Sequence, residues 1–209
     1  MQMPWMNIVL IAVLSAIAGA VAAKIDSYRK SLCSDVPCLL FNTRIAAIES
    51  VIAQQSGDST YLAIGDSITE FADLEPICGR KPINAGIAGA TSETFATQGA
   101  RLAALLKPDF IVVALGTNDA IRNKPDFREH MTKLLFSLKN YRVVVVPIPA
   151  GSGVTNAAEY NAVLKEFEPL AKPLGSTKTS EDGIHLAPSE YPAWKGAISD
   201  AVAHQICPS

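Results

Sequence analysis

At 209 residues, with 49% hydrophobic and 18% charged side chains, the chain is long enough for one full hydrophobic core plus a short extra segment, and too apolar to be disordered. Its formal charge is −2, and acids and bases are interspersed. No basic stripe stands ready to displace counterions from phosphates, so a nucleic-acid partner is not expected.

Residues 1–23 carry no charged side chain, and Ile8-Val9-Leu10-Ile11-Ala12-Val13-Leu14 forms their apolar centre before Lys24, Arg29 and Lys30 arrive. One reading is a secretory signal peptide with Ala20-Val21-Ala22 as its cleavage site, although a basic leading region is missing. The other is an uncleaved anchor giving membrane association through residues 4–23, since roughly 20 apolar residues span a bilayer. A buried core helix is the third. The trailing basic residues would favour a cytoplasmic position for the chain beyond an uncleaved anchor. Cys33, Cys38, Cys78 and Cys207 pull the other way, because an even set suggests disulfides and an oxidising compartment. Three connectivities are open. The expected one pairs Cys33 with Cys38 and Cys78 with Cys207, against the alternative of four reduced thiols. On balance the chain reads as exported, periplasmic or extracellular, either free or anchored.

Residues 24–39 read as a linker with turn chemistry at Ser34-Asp35-Val36-Pro37. Ile45, Ile48, Val51 and Ile52 predict an amphipathic helix over residues 40–54. Strands are expected at residues 61–64, 83–87, 110–115 and 142–146, and helices at 91–106, 126–140, 155–170 (with Thr155 near its start) and 188–206. A short edge strand is expected near Ser176-Thr177. Continuous apolar strands alternating with helices indicate an α/β fold, a doubly wound, mostly parallel sheet flanked by helices. The organisation is therefore a signal or anchor (1–23), a linker with an amphipathic helix (24–58), and one α/β domain (59–209).

In such sheets ligands bind beyond the carboxyl ends of the strands. Gly65-Asp66-Ser67 follows the first strand, Asn84-Ala85-Gly86-Ile87-Ala88-Gly89 ends the second, and Gly116-Thr117-Asn118-Asp119 follows the third. Asp182-Gly183-Ile184-His185 precedes the last helix. Each alone could be a turn or a helix cap. Together, and in this order, they resemble the consensus blocks of the SGNH hydrolases, the GDSL-type lipases and esterases. The likeness runs from about Tyr61 to the C-terminal helix.

That resemblance implies a flavodoxin-like three-layer fold, with Ser67 as nucleophile and Asp182 and His185 completing a triad. It implies an oxyanion hole from Ser67, Gly89 (rather than Gly86) and Asn118. Ile68 stands where the family has Leu. Ala90 stands where an Asp often follows the glycine, so hydrogen bonding in that loop is expected to differ. The residues support the same chemistry independently: a serine hydroxyl needs a base, imidazole titrates near neutrality, and a carboxylate three residues away can hold the ring. The Gly-x-Ser-x-Gly elbow of α/β-hydrolases is absent.

Asp66 and Asp119 are expected to brace loops, Glu70 and Glu93 either to line the cleft or, by default, to be solvated, and His130 and His204 to lie on the surface. Tyr191-Pro192-Ala193-Trp194 is expected to pack beneath the catalytic loop. Three dispersed histidines give no metal cluster, so no metal and no cofactor are expected. The reading is a serine esterase acting on carboxylic esters through an acyl-serine, with a small-molecule or polymer ester substrate carrying a short acyl group, such as an acetylated carbohydrate or a lysolipid. The alternatives are a catalytically inactive carbohydrate- or lipid-binding module, and a membrane-tethered protein that docks a partner. Short loops at residues 74–82 and 150–155 suggest an open cleft.

Overall fold

The computed structural model describes residues 36–55, 57, 59–175 and 177–207, with side chains from residue 39 onward. The segment read as a signal or anchor (residues 1–23), most of the linker and the Cys33–Cys38 pairing lie outside the described residues. The chain divides into two units, residues 1–43 and 44–209. Of the first, only the opening turns of helix α1 (Val36–Gln54) are described. No described helix is long and apolar enough to cross a membrane.

In the second unit the chain runs through β1 (Thr60–Gly65), α2 (Ser67–Glu70), β2 (Lys81–Gly86), α3 (Ser92–Leu106) and β3 (Phe110–Ala114). It continues through α4 (Thr117–Ile121), α5 (Phe127–Ser137), β4 (Val143–Val145) and α6 (Ala157–Leu164), and closes with a 3-10 turn and α7 (Tyr191–Gln205). The four strands are all parallel, in the order β2-β1-β3-β4. This is the expected α/β class.

Both sheet faces are buried, which explains why the strands read as unbroken apolar runs rather than alternations. Tyr61, Ala63, Phe110 and Val112 point to the face covered by Trp194, Ile198 and Val202 of α7. Tyr61 and Phe110, paired in the register, stack with centroids 4.9 Å apart. On the opposite face α3 comes so close to its neighbours that a Cβ at Gly99 would reach Leu134 of α5 and Ile64 of β1. In α1, Ile45, Ile48 and Ile52 are buried, but Val51 is 44% exposed because it sits off their stripe.

Several boundaries differ from the sequence reading. The helix expected over 155–170 ends at Leu164, and Asn156 rather than Thr155 caps it. Ser176, half of the expected edge strand, lies outside the described residues, and the contact with the sheet edge comes earlier, as a single parallel bridge of Leu170 to Val145. Val145 N–H donates to Pro169 O and Ala171 N–H to Val145 O, so the chain has met the sheet before residue 176. The four- and five-residue helices α2 and α4 escape sequence reading, being shorter than any helical period can reveal.

Cys78 and Cys207 form a disulfide, Cα–Cα 6.2 Å, across 129 positions of sequence. It ties the end of α7 to the connection between α2 and β2, as expected. A cross-link closing so long a loop removes much unfolded-state entropy. Cys207→Ser is expected to lose about 2–4 kcal/mol of stability, read as a lower urea midpoint under non-reducing conditions. An unchanged midpoint would show that the cross-link contributes nothing.

Candidate active site

The strand register sets the level of the site. Gly65 pairs with both Gly86 and Ala114, so the ends of β1, β2 and β3 lie side by side and their loops emerge on one rim. At that rim Asp66 caps α2, its Oδ1 accepting from Ile68 N–H at 2.9 Å. Ser67 is therefore the first residue of a short helix seated on the strand ends, with its hydroxyl turned toward residues 182–185.

That segment is a tight loop. An antiparallel bridge between Thr179 and Leu186 closes it, Ser180 N–H donates to His185 O, and Gly153 N–H donates to Gly183 O from the neighbouring loop. Inside it, Asp182 Oδ1 accepts from the N–H groups of Ile184 (2.9 Å) and His185 (3.0 Å). Its Oδ2 lies 2.5 Å from His185 Nδ1. Nε2 of the same ring lies 2.7 Å from Ser67 Oγ. The structure thus brings the three residues singled out as a triad into one hydrogen-bonded chain across 118 positions of sequence.

The oxyanion candidates sit around Ser67. Gly86 cannot serve, because its N–H already donates to Asn84 Oδ1 at 2.9 Å and a Cβ there would overlap the backbone of Glu70. Gly89 has φ +76°, a conformation that favours glycine. Among the described residues, neither the Gly89 nor the Ser67 N–H finds a hydrogen-bond acceptor. Asn118, on α4, donates from Nδ2 to Ala90 O at 3.1 Å, which binds the third block to the loop bearing Gly89 and leaves one amide hydrogen over.

Sequence reasoning missed the supports of this loop. Glu70, expected to be solvated, accepts from Ala88 N–H at 2.5 Å and pairs with Arg44 at 3.3 Å. Arg44 in turn donates to Gly86 O (2.9 Å) and Asn84 O (3.1 Å). Asn84 also donates to Thr69 O (2.7 Å) and Ala72 O (3.2 Å), tying β2 to the end of α2. An asparagine inside a strand is the one local hint, since that residue is depleted there. Arg44 offered none. Asp119 does brace as expected, accepting from Ser92 N–H and Oγ. Glu93 is exposed and pairs with Lys124. His204 is exposed and His130 half-buried. Trp194 is buried as expected, whereas Tyr191 is half-buried and helps line an open hollow together with His185.

Two carboxyls respond oppositely to their surroundings. Burial pushes Asp66 up to about 6, against the pull of Ile68 N–H, Thr117 and His185. The hydrogen bonds of His185 and the two backbone N–H groups hold Asp182 down at about 2. Asp182 is thus an anion across the neutral range and keeps the proton of a neutral His185 on Nδ1. Nε2 is then free to accept. No cluster of three or more metal-ligating side chains occurs among the described residues.

A profile of the GDSL-like Lipase/Acylhydrolase family matches residues 63–178. The chain belongs to that family. No match was found among curated proteins. Among solved structures, a lipase/acylhydrolase from Enterococcus faecalis is similar, with TM-score 0.61 and 20% identity over 72% of this chain and 98% of that one. A putative acylhydrolase from Bacteroides fragilis gives TM-score 0.62 at 18% identity, covering 76% of this chain and 95% of the other. An acetyl xylan esterase from Geobacillus stearothermophilus gives 0.59 at 16%, covering 74% and 98%. At these identities the likeness establishes the three-layer α/β fold.

Two predictions concern the supports. In the unfolded chain an aspartate ionises near about 3.9, whereas folded Asp66 holds its proton to about 6. Between those values the folded state binds more protons than the unfolded one. The stability this group contributes is therefore fully present below about pH 4 and is lost as the pH rises through about 6. Asp66→Asn keeps an oxygen for Ile68 N–H. It is expected to be more stable than the wild type at pH 7 by on the order of 2 kcal/mol and to converge with it near pH 4, in melts across that range. Parallel melting curves would refute the assignment. Glu70→Ala is expected to speed hydrogen exchange of the Ala88 amide by about tenfold, the loss of one charge-assisted bond. Unchanged exchange would mean the loop is held by other contacts.

Proposed function

We propose that the chain is a serine esterase, hydrolysing carboxylic esters of short acyl groups through an acyl-serine intermediate without a metal or cofactor. The observation that carries this is the hydrogen-bonded line Ser67 Oγ–His185 Nε2–His185 Nδ1–Asp182 Oδ2, at 2.7 and 2.5 Å. His185 Nε2 takes the Ser67 proton as Oγ attacks the ester carbonyl. Asp182, already ionised, steadies the imidazolium. The tetrahedral oxygen is met by the N–H groups of Ser67 and Gly89 and by the Asn118 side-chain amide. His185 then protonates the departing alkoxide. It later takes a proton from water, which attacks the acyl-serine to release the acid and restore Ser67. Membership of an acylhydrolase family and a cleft open at His185 support small or extended ester substrates, acetylated carbohydrates among them.

The same reading takes residues 1–23 as an export signal or retained anchor, residues 24–58 as linker and helix, and residues 59–209 as the hydrolase domain, in the periplasm or outside the cell. The Cys78–Cys207 disulfide supports export, since such bonds persist in oxidising compartments.

Ser67→Ala is expected to abolish turnover of p-nitrophenyl acetate and labelling by a fluorophosphonate, with the melting temperature retained. Asn118→Ala should lower kcat by on the order of 10²–10³. A wild-type protein that neither labels nor turns over any short-chain ester would instead be a non-catalytic binding module. Labelling that survives loss of Ser67 would end the proposal.

A further inference from the structure

Beside His185 lies a hollow of about 600 Å³. Its apolar walls are Phe71, Leu186, Tyr191 and Pro192, and its polar margin includes Asp73 and Lys195. None of the three oxyanion candidates lines it. The hollow therefore opens on the base side of Ser67 and not on the side where the carbonyl oxygen would be held.

Reaction geometry assigns the two sides different halves of an ester. During acylation His185 Nε2 must reach the alcohol oxygen to protonate it as the C–O bond breaks, while the carbonyl oxygen points to the amides of Ser67 and Gly89. Whatever is attached to the alcohol oxygen is thus directed over His185 toward the hollow. Phe71 meets it there. It follows α2 directly, is 62% exposed, and lies against the His185 ring with centroids 5.5 Å apart at 43°. A large aromatic ring left in water beside a base, continuous with the half-buried Tyr191 and with Pro192, marks a surface prepared for a ligand rather than a core contact.

The surroundings narrow the ligand. Lys195 Nζ is held at the margin by Asp73 O (2.9 Å) and by an ion pair with Glu75, and with Asp73 and Ser180 it makes that margin polar. An alkyl chain lying on Phe71 would keep its other side in water and gain little. A sugar ring matches both features, with a C–H face for the aromatic ring and hydroxyls for the polar margin. Resting on the reading of Ser67 as nucleophile, we propose that this hollow is the alcohol-side subsite and takes a carbohydrate ring stacked on Phe71.

The test compares two substrates that share one acyl group, an acetylated methyl xyloside and ethyl acetate. Both give the same acetyl-Ser67, so deacylation is common and differences in kcat/KM report the alcohol alone. Phe71→Ala in the full chain is expected to lower the ratio of kcat/KM for the sugar ester over ethyl acetate by about tenfold, with Phe71→Trp restoring it. An unchanged ratio, or an equal loss on both substrates and on fluorophosphonate labelling, overturns the proposal; the equal loss would show that Phe71 only positions the His185 ring. A second arm does not depend on turnover. In Ser67→Ala, methyl xyloside should shift the Phe71 ring resonances, and methyl acetate should not. Absence of that shift overturns the sugar subsite even if the esterase is active. Its presence in a protein that never labels would separate failure of the esterase reading from failure of the subsite.

Discussion

A side chain at position 86 would run into the backbone of Thr69 and Glu70, so β2 and α2 can approach as they do only because that residue is glycine. This contact fixes the height of α2 above the sheet. It also brings Asn84 under the carbonyls of α2 and Glu70 over the Ala88 N–H. The helix carrying Ser67 and the loop carrying Gly89 are in consequence one rigid piece. Arg44 locks it from the outside by holding two carbonyls of β2 and the Glu70 carboxylate together. Ser67 and Gly89 are thereby set by shared hydrogen bonds and do not depend on separate loops.

The carboxyls of Asp66 and Asp182 show how environment divides the work of identical side chains. Asp182 is exposed and surrounded by three donors, so its charge is favoured and it can hold the imidazole. Asp66 is buried at the start of α2, where burial outweighs the donors, and it serves as a cap. The protein gives up stability near neutrality at Asp66, next to Ser67, in a chain otherwise well packed. Destabilised polar groups of this kind concentrate at functional sites.

Much of this was legible in the sequence. The parallel sheet announced itself because both faces are buried; Ser67, Gly89 and Asn118 stood at strand ends where the fold presents ligands, and Asp182 and His185 before the last helix. Residues whose roles depend on tertiary approach were not legible. Glu70 looks like any solvated acid of a short helix, and only the neighbouring strand's loop gives it an N–H to bind. Arg44 lies in a helix outside the family match, more than forty positions from Gly86, whose carbonyl it holds. The edge strand was misplaced because the chain reaches the sheet through an irregular turn at residues 165–169 that leaves no periodicity. Phe71 was overlooked for a related reason: an apolar residue is assumed to face inward, and here it faces the cleft.

The bond between Cys78 and Cys207 has a topological meaning beyond stability. Those two residues bracket every segment from β2 through the loop of residues 182–185 to α7. A protease that nicks an exposed connection between Cys78 and Asp182 leaves two fragments that are still one covalent molecule, with Ser67 on one and His185 on the other. A clipped chain can therefore hold Ser67 and His185 together where an unbridged one would fall apart, an advantage wherever peptidases share its compartment.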